Sequence, residues 1–291
     1  MIAHIDNLAL IITSEQCKPL AEAKGELATN PDVRKLSFTG STEIGPILLA
    51  QCAPTIKRTS MELGGNAPFI VFDDADLETA ISAALIAKYR NSGQSCIGAN
   101  RFLVQAGIHD AFVARLAEET DKLAVGFGAQ PGTVIGPLID AAAVAKVEEH
   151  VADAVARGAR VVSGGQRHAL GGTFFQPTVL RDVPRAARIF SEETFEPIAP
   201  VFRFDTEAEV IAMANDTPFG LAAYVCARDA GRIFRVVEAL EFGMVGVNEG
   251  LISTEVAPFG GVKASGLGRE GAQVGIEKYL ETKYIALGGL T

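Results

Sequence analysis

The chain has 291 residues, of which 48% are hydrophobic and 21% charged, a composition typical of a soluble globular protein with one large or two closely associated domains. Its formal net charge of −9 argues against a nucleic-acid-binding surface. The sequence contains no apolar run of the roughly 18 residues that a membrane span needs, and its amino terminus lacks the pattern of a signal peptide. These features predict a cytoplasmic protein without nucleic-acid or membrane partners.

Strand-like and helix-like segments alternate along the chain, which predicts an α/β fold without internal repeats. The predicted strands are Leu8–Thr13, Val33–Phe38, Ile56–Glu62, Pro68–Val71, Arg101–Gln105, Arg160–Val162, the end of Gly171–Leu180, Ala222–Cys226, Met244–Val247 and Tyr279–Leu287. The predicted helices are Lys18–Leu27, Glu43–Cys52, Leu77–Tyr89, His109–Ala124, Ala141–Arg157 and Ala230–Leu240. The acidic run Asp73-Asp74-Ala75-Asp76 is interpreted as a capped helix start and not as a metal cluster.

Cysteines and histidines show no metal-binding or disulfide pattern. Neither set has paired short spacing, so we expect a reducing compartment, no metal site, and structural or solvent-facing histidines. The residues are Cys17, Cys52, Cys96 and Cys226, and His4, His109, His150 and His168.

The turn between the first two predicted elements after residue 30 could bind an anion. Gly40 permits a tight turn, while Ser41 and Thr42 could cap the helix that follows, whose amino terminus would favour a pyrophosphate. Similar turns occur in most α/β proteins. From these residues alone, anion binding and simple turn chemistry are both open.

A small-residue turn ends on Cys96, and such a setting lets a substrate and backbone N–H groups approach a thiolate nucleophile. Most lone cysteines are small buried hydrophobes, so position alone favours that interpretation. Glu62 shifts the balance, because it directly precedes Leu63-Gly64-Gly65, where a carboxylate has few structural reasons to be. Brought together, the two residues could serve as nucleophile and general base.

Glu62-Leu63-Gly64-Gly65 followed by Gly93-Gln94-Ser95-Cys96 resembles the aldehyde dehydrogenase superfamily, in the order and separation of the two motifs. Further similar runs are Phe38–Gly45, Phe174–Thr178, Asn215–Ala222 and Phe259–Gly271. The resemblance implies an aldehyde dehydrogenase-like α/β fold with a partial Rossmann-type cofactor domain plus an α/β catalytic domain. The implied boundaries are 1–64 for the cofactor domain, 65–278 for the catalytic domain and 279–291 for an oligomerisation strand.

The resemblance also implies a mechanism. The Cys96 thiolate would attack an aldehyde, hydride would pass to NADP or NAD, and Glu62 would activate the water that hydrolyses the thioester. The backbone N–H of Cys96 would supply one oxyanion donor.

Five residues match the family's cofactor-binding positions: Gly40, Ser41, Leu63, Glu193 and Phe195. The resemblance implies that Glu193 holds the ribose hydroxyls on the nicotinamide side and that Phe195 packs beside the cofactor. Without it, this segment would be interpreted as an acidic loop. The family usually has glycine where this chain has Glu196, so we expect a side chain and a charge there to strain the loop or weaken cofactor binding.

The runs Lys88–Cys96, Asn248–Thr254 and Phe259–Gly271 are most similar to the succinate-semialdehyde dehydrogenase subfamily. Arg90 and Ser253 match positions that hold the far carboxylate of the substrate, although Arg90 could also be a surface arginine at a helix end. The resemblance therefore implies oxidation of succinate semialdehyde or a similar ω-carboxy aldehyde, in 4-aminobutyrate degradation, by a homo-oligomer.

The resemblance covers residues 19–291, which correspond only to the later part of the family's chain. The matching positions omit the asparagine that gives the other oxyanion donor, the residues that read the adenosine ribose, a second substrate arginine and the first strands of the cofactor domain. Loss of one oxyanion donor typically costs about a hundredfold in rate. An inactive remnant that serves as a structural or subunit-binding protein is therefore the alternative hypothesis, and coding sequence upstream of Met1 would discriminate between the two.

Overall fold

The computed structural model describes residues 28–289. The strand and helix predicted at Leu8–Thr13 and Lys18–Leu27 lie outside these residues. The strands are β1 (Lys35–Thr39), β2 (Arg58–Glu62), β3 (Ala67–Val71), β4 (Ala99–Gln105), β5 (Arg160–Ser163), β6 (Thr178–Arg181), β7 (Ile198–Phe204), β8 (Ala222–Cys226), β9 (Met244–Val247) and β10 (Gly266–Leu267). The helices are α1 (Ile44–Cys52), α2 (Leu77–Tyr89), α3 (His109–Thr120), α4 (Ala141–Ala156), α5 (Arg188–Ser191), α6 (Glu207–Asn215), α7 (Ala230–Ala239) and α8 (Val274–Glu277).

The described chain forms two compact units. The first contains residues 28–63, 253–260 and 266–289, and the second contains residues 64–252 and 261–265. The first division falls next to the predicted boundary at residue 64. The division near the carboxyl terminus differs from the predicted catalytic domain at 65–278, because β10 pairs with β2 and returns the chain to the first unit.

The first unit is built on a β-α-β arrangement. Strands β1 and β2 pair in parallel through helix α1, with Thr39 opposite Glu62, and β10 adds an antiparallel edge with Gly266 opposite Glu62. A Cβ on Gly266 would lie 1.9 Å from the carbonyl oxygen of Met61, so only glycine permits this close pairing. Parallel pairing through a crossover helix is the element from which Rossmann-type cofactor domains are built.

The second unit is a seven-stranded sheet in the order β5-β6-β7-β4-β3-β8-β9, parallel except for β5. Alternate strand residues face opposite sides: Phe69 and Val71 pack with α2 and α3, whereas Ile70 and Phe72 pack with α4, α6 and α7. Because helices cover both faces, the inner strands β3 and β8 are buried throughout and continuously apolar, whereas three of the four residues of the edge strand β5 are exposed.

Most predicted elements form, and several have the predicted bounds. Asp76 caps α2 by accepting a hydrogen bond from the backbone N–H of Thr79, which confirms the interpretation of the acidic run. Helix α3 ends at Thr120 and not at Ala124. The sequence reasoning missed α6 and also β7, whose Pro200 is unusual within a strand interior.

Residues 279–289 form neither helix nor strand, although a strand was predicted at Tyr279–Leu287. The start of this segment is attached to the first unit: the hydroxyl of Tyr279 lies 2.9 Å from the Ser37 hydroxyl. Pairing of this segment with a neighbouring subunit is a property of an assembly and stays a prediction. Within residues 28–289 no helix is long and apolar enough to cross a membrane.

Candidate active site

In the second unit, the segments that precede four parallel strands meet at one edge of the sheet. Strand β3 pairs with both β4 and β8, and β4 pairs with β7, all in parallel, so their amino-terminal ends lie side by side. Residues 90–98, here called the Cys96 turn, precede β4, and residues 192–196 precede β7. The topology therefore brings Cys96, Glu193 and Phe195 to the same edge.

The Cys96 turn has an unusual backbone. Asn91, Ser92 and Gly93 have φ values of 53°, 58° and 75°, and the N–H of Gly98 donates to the carbonyl of Ser95 at 2.9 Å. Of the three cysteines that the structure describes, Cys52 and Cys226 are buried and Cys96 is half-exposed. The interpretation of Cys96 as a buried hydrophobe is therefore not supported.

The loop at residues 136–139 supports the Cys96 turn from one side. The Ser92 hydroxyl accepts a hydrogen bond from the N–H of Gly136 at 2.8 Å. The Gln94 side chain accepts from the N–H of Ile139 at 2.9 Å. Both bonds join a side chain to a backbone group, so they fix the turn without adding charge near the thiol.

Tyr224 and Gly65 support the turn from the sheet. The buried hydroxyl of Tyr224 donates to the carbonyl of Ile97 at 2.7 Å. A Cβ on Gly65 would lie 2.3 Å from the Cys96 carbonyl oxygen, so glycine is required for this contact. The backbone on both sides of the Cys96 side chain is thus held in place.

Arg90 and Cys96 both lie near the hydroxyl group of Tyr224. Burial raises the pKa of the Tyr224 hydroxyl. The charge of Cys96 raises this pKa further, whereas the charge of Arg90 lowers it, so Cys96 and Arg90 both lie within electrostatic range of the Tyr224 hydroxyl. Arg90 is exposed, and its guanidinium has no hydrogen-bond or ion-pair partner among residues 28–289. It is therefore available to an anionic ligand.

Glu193 and Phe195 lie in the segment beside this turn. One carboxylate oxygen of Glu193 accepts from the N–H of Gly65 at 2.9 Å, and Lys146 donates to the Glu193 carbonyl at 2.6 Å. Phe195 is 40% exposed and has a φ of 51°. The same glycine thus contacts the backbone of Cys96 and the carboxylate of Glu193.

Glu196 stands at the position where the family usually has glycine. Its side chain is 2% exposed, and its carboxylate lies 2.5 Å from the Nδ1 atom of the buried His150. The left-handed conformation falls on Phe195. Glu196 itself does not adopt the left-handed conformation, and its charge is turned inward to a basic partner. Its effect on cofactor binding stays a prediction.

In the first unit, Glu62 is the last residue of β2 and its side chain is buried. It is 3% exposed, and neither carboxylate oxygen has a hydrogen-bond partner among the described residues. Burial raises its pKa to about 8, the charge of Glu270 adds to the increase, and Arg269 opposes it. A Cβ on Gly260 would lie 2.9 Å from Oε1 of Glu62, so glycine leaves room for the carboxyl group. Such a group suits a general base that operates near neutral pH.

The loop before α1 adjoins Glu62. The N–H of Gly40 donates to the Glu62 carbonyl at 3.0 Å, and a Cβ on Gly45 would lie 2.5 Å from a methyl group of Leu63. Glu43, and neither Ser41 nor Thr42, occupies the N-cap position, and it makes no side-chain cap bond. An uncapped helix amino terminus fits a dinucleotide diphosphate, because its backbone N–H groups can bind the phosphate oxygens.

The expected site residues therefore fall into two groups. Gly40, Ser41, Glu62, Leu63 and Ser253 belong to the first unit, where Ser253 is half-buried; Arg90, Cys96, Glu193 and Phe195 belong to the second. Within the described part of the chain, no cluster of three or more His, Cys, Asp or Glu side chains could hold a metal ion.

Sequence reasoning missed Lys88, His150 and Tyr224. His150 lies on the buried face of α4, in step with Val147 and Val151. A histidine in an otherwise apolar helical stripe is a signal that could have been used, because a buried imidazole requires polar partners. The position of Tyr224 in an apolar strand gave no comparable signal.

The chain is similar to proteins of one enzyme family. A model of the aldehyde dehydrogenase family matches residues 17–285. The glutarate-semialdehyde dehydrogenase of Pseudomonas aeruginosa is 66% identical over 269 residues, covering 92% of this chain and 56% of that protein. The NADP(+) succinate-semialdehyde dehydrogenase of Escherichia coli is 64% identical over 263 residues, covering 90% of this chain and 55% of that protein.

Solved structures give the same result. An NADP-dependent enzyme of E. coli has a TM-score of 0.91 and 64% identity, over 92% of this chain and 56% of that one. A succinate-semialdehyde dehydrogenase of Burkholderia pseudomallei has a TM-score of 0.88 and 59% identity, over 89% of this chain and 54% of that one. The chain thus spans about half the length of the relatives it matches.

Proposed function

Because the chain belongs to the aldehyde dehydrogenase family, whose fold it shares, we propose that it oxidises an aldehyde to a carboxylic acid with NADP or NAD, through a thioester on Cys96. The observation that carries the proposal is the Cys96 turn. It presents a half-exposed thiol on a backbone held by Gly65, Tyr224 and the loop at residues 136–139.

The Cys96 sulfur, as a thiolate, attacks the carbonyl carbon of the aldehyde, and the backbone N–H of Cys96 donates to the oxyanion that forms. A bound nicotinamide supplies the acceptor for the hydride, which leaves a thioester on Cys96. Glu62, as a carboxylate, takes a proton from the water that attacks this thioester. The acid is released and the thiolate is regenerated. Hydrolysis therefore requires ionised Glu62, whose pKa is about 8.

Each group contains residues that match cofactor-binding positions of the family. Gly40 and Ser41 precede the uncapped helix α1 and would take the diphosphate, next to Leu63. Glu193 and Phe195 would face the nicotinamide half. NADP is the first cofactor to test, because the names of two similar E. coli proteins specify it.

An ω-carboxy aldehyde is the proposed substrate. Arg90 is exposed and within electrostatic range of the Tyr224 hydroxyl beside Cys96. A guanidinium binds a carboxylate through two parallel hydrogen bonds. Succinate and glutarate semialdehydes, which appear in the names of the relatives, both carry a carboxylate opposite the aldehyde. Ser253 is proposed as a second contact to this carboxylate.

The proposal also includes assembly with further copies of the chain. Tyr284, Ile285 and Leu287 are 88%, 67% and 78% exposed, which is unusual for large apolar side chains in an isolated molecule. Sedimentation of the full chain and of a Tyr284→Ser/Leu287→Ser variant would test this; a monomeric parent would reject it.

Turnover tests the function. The purified chain is mixed with NADP or NAD and with succinate semialdehyde, glutarate semialdehyde or uncharged butanal, and the absorbance of reduced nicotinamide is followed. We expect turnover that Cys96→Ala abolishes. Arg90→Gln should raise KM for both semialdehydes by about tenfold or more, as expected for a lost charge-assisted contact of about 1.5–3 kcal/mol.

Arg157→Gln serves as the matched control, because Arg157 is an exposed arginine directly after α4. Equal loss in both variants would reject Arg90 as a substrate contact. Turnover that persists in Cys96→Ala would reject the thioester. A folded chain without turnover would reject the activity for residues 1–291 and favour the subunit-binding alternative.

A further inference from the structure

A buried basic residue of α4 lies between two carboxylates of the segment at residues 192–196. His150 is fully buried; its Nδ1 lies 2.5 Å from Oε1 of Glu196, and its Nε2 lies 3.0 Å from Oε2 of Glu192. Ionised carboxylates only accept hydrogen bonds, so both ring nitrogens must donate. When both carboxylates are ionised, the arrangement therefore requires the doubly protonated, positively charged imidazole.

Other charged groups face the same cluster from three helices. Lys88, fully buried on α2, donates to the Thr194 hydroxyl at 3.1 Å. Lys146 of α4 donates to the Glu193 carbonyl, and Arg188 of α5 donates to the Glu192 carboxylate at 2.9 Å. Burial lowers the pKa of Lys88 to about 7, while the charges of Glu196 and Glu193 oppose the change.

These bonds hold the segment on both sides of Phe195, which itself has the left-handed φ of 51°. A bulky side chain rarely adopts that conformation unless its surroundings impose it. The segment also reaches the Cys96 turn, because a Cβ on Gly93 would lie 2.2 Å from the Glu196 carbonyl oxygen. The tie between His150 and Glu196 therefore acts directly next to the exposed ring of Phe195.

We propose that His150 is a positioning residue: as an imidazolium it fastens Glu192 and Glu196 to α4 and so holds Phe195 in place, and loss of the ring proton releases the segment. Glu196 supplies one of the two carboxylates at the position where the family usually has glycine. The consequence for cofactor binding, through Glu193 and Phe195, rests on the proposed function. The pH-dependent release of residues 192–196 does not rest on the proposed function.

The direction of the pH dependence follows from the contacts. Burial lowers the pKa of His150, but the hydrogen bonds and charge of Glu196 and Glu192 outweigh burial and the opposing charge of Lys146, so the pKa is raised above its usual value of about 6.5. A raised pKa in the folded protein means that the tie is complete below about pH 6.5 and is lost as pH rises through the raised pKa.

A single tryptophan can report the release, because the chain contains none. Phe195→Trp places that probe on the segment, and its fluorescence anisotropy is measured from pH 5.5 to 9.5 without cofactor or substrate. We expect anisotropy to fall with a midpoint above about pH 6.5. In Phe195→Trp/Glu196→Gln the midpoint should move down by about one pH unit or more, because the negative charge of Glu196 that stabilises the His150 imidazolium is lost.

In Phe195→Trp/His150→Gln the transition should disappear, whereas Phe195→Trp/His168→Gln, which changes a half-buried histidine outside the cluster, should keep it. Circular dichroism checks that each variant is folded. If the His150→Gln variant is not folded, the shift of the midpoint in the Glu196→Gln variant tests the proposal instead.

A transition unchanged in both Glu196→Gln and His150→Gln would overturn the proposal. So would a transition that only Lys88→Met removes, since it would then belong to Lys88. Because no turnover is measured, failure here is distinct from failure of the proposed function.

Discussion

The Cys96 turn and the Glu62 carboxyl group are fixed in opposite ways. The turn is held by hydrogen bonds such as that from Tyr224 to Ile97 and by the close approach of Gly65, whereas the Glu62 carboxyl is buried without a hydrogen-bond partner among residues 28–289. Uncharged contacts keep their strength as pH changes, but a buried carboxyl changes charge near its raised pKa. Changes at the turn should therefore act at every pH, and changes at Glu62 should depend on pH.

Gly65→Ala should have the largest effect. Its Cβ would lie 2.3 Å from the Cys96 carbonyl oxygen, a backbone atom that cannot move without shifting the turn. We expect a loss of about 3 kcal/mol in the free energy of unfolding, at the upper end of overpacking costs, together with slower alkylation of Cys96 by iodoacetamide. Urea denaturation and mass spectrometry would measure the two effects.

Gly128→Ala is the matched control, because no atom lies within 4 Å of its Cβ position. It should leave alkylation unchanged and stability within about 1 kcal/mol of the parent. If both variants behaved alike, the contact between Gly65 and Cys96 would not be what fixes the turn.

Glu62→Gln should have an effect that is small at acidic pH and grows as pH rises. The pKa of Glu62 is raised to about 8, so its contribution to stability is full below about pH 4.5 and is lost as pH rises to about 8. A neutral amide avoids this loss. The free energy of unfolding of Glu62→Gln relative to the parent should therefore rise by up to about 1.4 kcal/mol per pH unit in this range.

The measurement is urea denaturation at pH 5, 6, 7 and 8. Glu277→Gln, which changes an exposed acid on α8, provides the control and should run parallel to the parent. Parallel curves for Glu62→Gln as well would show that the Glu62 carboxyl is not buried as described.

Tyr224→Phe should have the smallest effect on stability. It leaves the carbonyl of the half-buried Ile97 without its hydrogen bond from Tyr224, which costs about 1 kcal/mol at any pH. Tyr89→Phe removes a comparable buried hydroxyl, which donates to the Thr178 carbonyl and not to a residue of the Cys96 turn. Both variants should lose similar stability, but only Tyr224→Phe should alter the rate at which Cys96 is alkylated. Equal rates in the two variants would contradict a positioning role for Tyr224.

Elements with a clear apolar periodicity, and site residues that lie in family motifs, could be predicted from the sequence. Helix α2 and strand β8 have the predicted bounds, because their apolar patterns end at clear signals such as the cap at Asp76. The family motifs pointed to Cys96 and Glu62. Contacts between distant segments could not be predicted, because no local pattern shows that Tyr224 reaches Ile97 or that Glu196 turns toward His150. The buried contact of a departure such as Glu196 therefore could not be predicted.

The domain limits near the carboxyl terminus were missed for a related reason. Strand β10 has two residues, too few for a sequence signal, yet its pairing with β2 assigns residues 266–289 to the first unit. This pairing depends on the close approach of Gly266 to the Met61 carbonyl, which is a contact between distant parts of the sequence. The apolar periodicity of the sequence cannot predict such a contact.

The most direct test of the central claim is the intact mass of Glu62→Gln after reaction with succinate semialdehyde and NADP. Acylation needs Cys96, whereas release of the acid needs the Glu62 carboxylate. We therefore predict that Glu62→Gln accumulates a succinyl adduct that maps to Cys96, that the parent at pH 9 does not, and that Cys96→Ala/Glu62→Gln forms none. An adduct on another residue, or none on Cys96 in a folded protein, would contradict the thioester mechanism.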